Sequence, residues 1–132
     1  MKKIIVTGGS GFIGSNLIKL LLKKNFFVIN IDINSYTNDK IKDKYYKFFK
    51  IDINNRKKLF NIIKKYKPSC IFNLAAETHV DRSIDDAYPF IKSNILGVYS
   101  LLENLKKFKI KYKQNYKLVH VSTDEVYGDV LG

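Results

Sequence analysis

Thr7-Gly8-Gly9-Ser10-Gly11-Phe12-Ile13-Gly14 decides how this chain is read. An apolar run, Ile4-Ile5-Val6, precedes it, and an amphipathic run with Ile13, Leu17, Leu20 and Leu21 follows. Strand, glycine turn and helix thus arrive in the order a dinucleotide site requires. Gly8 permits the tight turn off the strand. Gly11 lets the backbone approach a pyrophosphate with no Cβ in the way, and Gly14 lets helix and strand pack closely. The helix opening at Phe12 and Ile13 aims its free N–H groups and positive dipole end at the phosphates.

Outward from that turn, strand and helix patterns alternate to the end of the chain. A strand at about Lys3 to Val6 is followed by a helix from about Gly11 to Lys24, closed by Asn25. The next strand, Phe27 to Ile31, ends on Asp32, eighteen positions past Gly14. A carboxylate there accepts both ribose hydroxyls of an adenosine and repels a 2′-phosphate, and Ile33 and Asn34 offer no arginine to neutralise one. The cofactor this favours is NAD rather than NADP. A polar stretch, Asn34 to Lys44, reads as loop with a short helix, and a third strand runs from about Tyr46 to Ile51.

Asn54 or Asn55 can cap the following helix, whose Leu59, Ile62, Ile63 and Tyr66 keep helical spacing up to Pro68. Strand four, Cys70 to Leu74, leads into a loop from Ala75 to Asp86. A long helix from Tyr88 to about Phe108 is expected to turn Ile91, Ile95, Val98, Leu101, Leu102 and Leu105 inward. Lys106 to Lys117 reads as a basic connection, and strand five, Leu118 to Val121, delivers Ser122-Thr123-Asp124-Glu125 at its carboxyl end. The implied fold is α/β, a Rossmann-like doubly wound parallel sheet of about five strands. Because Gly132 follows so soon, the sheet is expected to be incomplete and residues 1–132 to be a truncated dinucleotide-binding domain.

Bulk properties narrow the class. A chain of 132 residues has room for one domain with a real core. No apolar run approaches the length that spans a bilayer, and the few apolar residues after Met1-Lys2-Lys3 do not make a secretory signal, so a cytoplasmic protein with no membrane partner is expected. The net charge of +12 is almost wholly lysine, scattered over every segment, with Arg56 and Arg82 the only arginines. That pattern suits coding bias better than a selected nucleic-acid surface, though it could help draw in an anionic nucleotide. Cys70, the only cysteine, lies in an apolar run and reads as a small buried hydrophobe. Two histidines and one cysteine, far apart, make no metal site. His120 reads as a satisfied core histidine.

The Gly8, Gly11, Gly14 spacing resembles the extended short-chain dehydrogenase/reductases. Two further segments, Ala75-Ala76-Glu77-Thr78-His79-Val80-Asp81-Arg82-Ser83 and Ser122-Thr123-Asp124-Glu125-Val126-Tyr127-Gly128-Asp129, resemble the dTDP-glucose 4,6-dehydratase family. The likeness covers the whole chain but only the N-terminal part of a family member. It implies NAD-dependent dehydration of a nucleotide-activated hexose by a homodimer whose interface includes the long helix. Within it, Asp52-Ile53 resembles the pair that contacts adenine, although Asp52 alone could equally be a turn residue. Leu74-Ala75-Ala76, small enough for close approach of a cofactor, would line the nicotinamide side. Asn94 matches the family's N-x-x-G and, polar on an otherwise apolar face, needs a buried partner, expected in backbone near the active-site strand.

By the same resemblance Thr123 would hydrogen-bond the C4 hydroxyl of the sugar, Glu125 would take the C5 proton, and Asp124 would protonate the departing C6 oxygen. Adjacent carboxyls can divide such roles when their environments differ. His79 and Ser83, with Asp81 and Arg82, would shape the sugar or diphosphate site, although loop polarity alone accounts for them. The family's Tyr-x-x-x-Lys pair has no match after Glu125. Tyr36/Lys40, Tyr46/Lys50 and Tyr88/Lys92 fit the spacing only as chance hits in a lysine-rich chain. The substrate domain is expected to be absent as well, and the fragment inactive by itself. A sugar-nucleotide epimerase or decarboxylase of the same fold, and a non-catalytic dinucleotide-binding remnant, are the other readings.

Overall fold

A computed structural model describes residues 1–35, 41–78 and 84–128, without the side chains of Asp124 and Glu125. Five parallel strands form one sheet in the order β3-β2-β1-β4-β5: β1 is Lys3–Thr7, β2 Phe27–Asp32, β3 Tyr46–Lys50, β4 Cys70–Asn73 and β5 Lys117–His120. The chain steps outward from β1 to β3, then crosses back to β4 beside β1. That reversal opens a crevice at the carboxyl ends of the central strands.

Alternation along the strands makes two layers. Ile4, Val6 and Val28 face α1 (Phe12–Lys23) through Ile18 and Leu21. Ile5, Ile29, Ile31 and Ile71 face α2 (Arg56–Tyr66) and α3 (Val98–Tyr112) through Leu59, Ile63, Leu101, Leu105 and Phe108. Helices therefore cover both sheet faces, as the alternating pattern requires. Asn25 closes α1 with φ of 58°, and Asn55 caps α2 by accepting from the Lys58 N–H at 3.1 Å. Lys67, with φ of 48°, ends α2 before Pro68.

The long helix departs from expectation. It begins as a turn, Tyr88–Phe90, winds as a π-helix over Ile91–Gly97, and only then becomes α3, which runs to Tyr112 and takes up half of the expected connection. A π-turn holds more residues than an α-turn, so the inward face shifts in phase across it. Leu101 and Leu105 are buried as expected, but Ile91, Ile95 and Leu102 are exposed, Ile95 at 61%. Two further expectations need correcting. Cys70 is half-buried, and burial pushes its thiol up. His120 is hydrogen-bonded but exposed, because β5 is an edge strand paired only with β4. The expected short helix between Asn34 and Lys44 falls largely on residues outside those described.

Candidate functional site

The carboxyl ends of all five strands open onto one cleft of about 680 Å³. Gly8, Gly11, Phe12, Ile13 and Gly14 form one wall. Asp32 follows from β2, Asp52 and Ile53 from β3, Leu74 to Thr78 from β4, and Val121 to Thr123 from β5. Most of the sequence-derived contacts thus share one space, with the glycine turn and Thr123 on the same edge of the sheet.

The turn is built for an anion. Gly8 has φ of 70°, and a Cβ there would lie 2.6 Å from the Ala75 nitrogen. A Cβ on Gly14 would come within 2.3 Å of the Gly8 carbonyl oxygen, so α1 can rest directly on the turn. Gly11 differs: its nearest obstacle is the Gly8 oxygen at 3.4 Å, and its flank is otherwise clear for a ligand. Gly11 also stands at the N-cap of α1, with no side-chain cap and no acidic residue in the first turn. The first-turn N–H groups have no intrahelical acceptor, and a diphosphate supplies what they lack. The residues present fit a dinucleotide.

Each loop is tied down. The Asp32 carboxylate accepts the Asn34 N–H through Oδ1 and the Ser10 N–H through Oδ2, both at 2.9 Å. Asp52 is a turn residue and more: Oδ1 accepts the Asn54 N–H at 2.8 Å, while Oδ2 faces Lys92 Nζ at 3.5 Å. Burial pushes the Asp52 carboxyl up, but the Asn54 hydrogen bonds and the Lys92 ammonium outweigh it and hold the carboxyl below its ordinary value. Asn94 clasps the backbone of Glu77 at both ends. Its Oδ1 accepts the Glu77 N–H and its Nδ2 donates to the Glu77 carbonyl, each at 2.9 Å. Asn94 is itself exposed rather than buried, and its partner is backbone in the loop after β4. Asn94 lies within the π-helix, and π-turns recur at functional sites.

A polar ladder crosses the sheet beneath the cleft. Thr7 Oγ1 donates to Asn73 Oδ1, Asn73 Nδ2 meets His120 Nδ1 at 2.9 Å, and the Ala75 N–H reaches Thr7 Oγ1 at 3.4 Å. The Val121 N–H donates to the Asn73 carbonyl at 3.1 Å, which extends the β4–β5 pairing toward Ser122 and Thr123. The backbone of Asp124 and Glu125 opens a 3₁₀ turn, Asp124–Tyr127, immediately beyond. His79, Asp81, Arg82 and Ser83, and the Tyr36/Lys40 spacing, lie outside the described residues. Sequence reasoning missed Ser10, Asn34, Lys92 and Ser93 as cleft residues. Their signals are contacts between distant segments, which no local pattern carries. Among the described residues no His, Cys, Asp and Glu group could hold a metal ion, and no helix is long and apolar enough to cross a membrane.

Comparison with known proteins gives a consistent result. The family model described as GDP-mannose 4,6 dehydratase matches residues 5–131. The dTDP-glucose 4,6-dehydratase of Haemophilus influenzae is 43% identical over 141 residues, covering 98% of this chain and 42% of that protein. The dTDP-glucose 4,6-dehydratase of Bacillus anthracis, solved in complex with NAD, superposes with a TM-score of 0.81 at 37% identity, over 98% of this chain and 40% of that one. The enzyme of the same name from Streptomyces venezuelae, solved with NAD, gives a TM-score of 0.82 at 32% identity, over 98% and 42%. The chain therefore spans about two fifths of the length of these relatives.

Proposed function

The chain belongs to the GDP-mannose 4,6 dehydratase family, and from that premise we propose that it is the NAD-binding, acid–base portion of a dTDP-glucose 4,6-dehydratase. One observation carries the reading: the glycine turn, Asp32 and the Ser122–Thr123 segment line a single cleft. NAD, when bound, supplies a hydride acceptor for C4 of the hexose and a hydride donor for C6.

The chain's own residues do the rest. Gly8, Gly11, Gly14 and the N–H groups of Phe12 and Ile13 hold the diphosphate. Asp32 accepts from the adenosine ribose, and Asp52 and Ile53 receive the adenine. Leu74, Ala75 and Ala76 leave room on the nicotinamide side, with Asn94 steadying that loop through Glu77. Thr123 hydrogen-bonds the C4 hydroxyl. Once C4 is a ketone the C5 proton is acidic, Glu125 removes it, and Asp124 protonates the C6 oxygen so that water leaves. His79 and Ser83 shape the sugar–diphosphate side. A carboxyl pair alone does not deprotonate the C4 hydroxyl, for which the family's Tyr-x-x-x-Lys pair is needed; residues 1–132 are expected to bind NAD without turning over sugar nucleotide.

The exposed stripe of Tyr88, Ile91, Ile95, Tyr99 and Leu102 along the long helix suits a second copy of the same face, and the intact protein is proposed to be a cytoplasmic homodimer. Calorimetry tests the cofactor assignment: NAD is expected to bind more tightly than NADP. For the chemistry, protein extended to include a Tyr-x-x-x-Lys pair is incubated with dTDP-glucose, and a product lighter by one water is expected. No heat with NAD, or a product of unchanged mass, as an epimerase gives, would contradict the reading.

A further inference from the structure

Among the described residues, one buried side-chain atom lacks a hydrogen-bond partner: Oδ1 of Asn30. Asn30 is fully buried on β2, two positions before Asp32, in a layer otherwise made of Val28, Val6 and Ile18. Its amide sits directly under the glycine turn, where a Cβ on Gly9 would lie 2.3 Å from Oδ1. Leaving one end of a buried amide unpaired is destabilising, so packing alone favours an aliphatic residue here.

The other end of the amide points to what is gained. Asn30 Nδ2 donates to the Tyr46 hydroxyl at 2.9 Å and reaches Ser10 Oγ at 3.5 Å. Burial pushes the Tyr46 phenol up, so this partner stays neutral. Ser10 Oγ donates to the Asn34 carbonyl at 2.8 Å, and the Ser10 N–H donates to Asp32 Oδ2. Asn34 returns its own N–H to Asp32 Oδ1. A column from Tyr46 through Asn30 and Ser10 therefore ends on both oxygens of Asp32.

We infer that Ser10 and Asn30 are positioning residues that fix the aim of the Asp32 carboxylate and thereby set how strictly the chain reads the 2′-position of the adenosine ribose. With one backbone N–H on each oxygen, the carboxylate is held against rotation at the cleft wall it lines. A fixed carboxylate keeps good geometry to a 2′-hydroxyl and cannot swing away from a 2′-phosphate. Loosening Asn34, by removing the Ser10 hydroxyl, frees one of the two anchors. The inference rests on the reading of Asp32 as the ribose acceptor.

The test compares NAD, 2′-deoxy-NAD (modified on the adenosine ribose) and NADP by calorimetry against the purified protein and its Ser10→Ala, Ser10→Thr and Asn30→Leu variants. The unaltered protein is expected to prefer NAD over both analogues. Ser10→Ala is expected to shrink the preference for NAD over 2′-deoxy-NAD by about fivefold, the worth of one neutral hydrogen bond, the deoxy analogue losing less because only its 3′-hydroxyl meets Asp32. Ser10→Thr, which keeps the hydroxyl, restores the preference. Asn30→Leu is expected to act in the same direction without adding to Ser10→Ala in the double variant. Equal losses for all three ligands, or a preference untouched by Ser10→Ala, would overturn the inference, because a merely structural role weakens every ligand alike. Failure of the unaltered protein to bind NAD would instead bring down the reading of the cleft, and the inference with it, before any variant is made.

Discussion

The two ends of the cleft are held in opposite ways. At the adenosine end, β1 and β2 each have strands on both sides, and Gly8, Ser10, Asp32 and Asn34 are cross-tied by hydrogen bonds. At the end proposed for the chemistry, β5 is paired among the described residues with β4 alone, and Val119, His120, Val121 and Thr123 are exposed. The glycine turn and Asp32 are held from both sides, although β3, with Asp52 and Ile53 beyond it, is an edge strand like β5; Ser122 and Thr123 take their order chiefly from Asn73. Within the described residues the glycine turn and Asp32 are thus held by more neighbours than Ser122 and Thr123 are.

The severest way to break this contrast is at the helix–turn contact. Gly14→Val places side-chain atoms where the Gly8 oxygen and Gly9 Cα already sit at 2.3 and 2.6 Å from a Cβ. It is expected to cost about 3 kcal/mol or more in a denaturant melt and to abolish NAD binding. A paired substitution sharpens the contrast. Ile71→Ala on β4 empties a fully buried site and is expected to cost about 3 kcal/mol. Val119→Ala, on the adjoining strand but 40% exposed, is expected to change stability by no more than about 0.5 kcal/mol. Similar costs at the two positions would show that the chemical end is enclosed after all.

Between the ends lies Asn94. Asn94→Leu removes both bonds to the Glu77 backbone, and the loop after β4 is expected to loosen by about 1 kcal/mol. Calorimetry would see this as weaker binding of NAD with ADP little affected, because only NAD reaches that loop.

The smallest effect is on pH. Because Asp52 titrates below its ordinary 3.8 in the folded chain, its contribution is fully present at neutral pH and fades as pH falls through the acid range below that value. Both partners of the Lys92 pair are more than a third exposed, so solvent screening keeps the effect under about 0.5 kcal/mol. Asp52→Asn is expected to lower stability slightly at neutral pH and to leave it unchanged in strong acid, which flattens the acid limb.

What the sequence made legible follows the same division. The glycine turn, the place of Asp32 at the end of β2 and the alternation of strand and helix were readable because each is written in a short, contiguous pattern. Ile91 and Ile95 were not, since a helical period assumed throughout breaks at a π-turn, and nothing in Ile91–Gly97 announces one. Nor was the exposure of His120, which depends on β5 lying at an edge. Ser10 and Asn30 escaped for a different reason: hydrogen bonds join them to one another, and Ser10 to Asp32, across some twenty residues of chain.

The most direct test of one cleft serving both ends is a backbone amide NMR titration with NAD and, separately, with ADP. Both ligands should shift Gly8, Gly11 and Gly14, but NAD alone should also shift Ala75 and Thr123. Equal patterns for the two ligands, with Thr123 silent, would mean that the nicotinamide never reaches the end of β5 and that the glycine turn and the acid pair do not share a site.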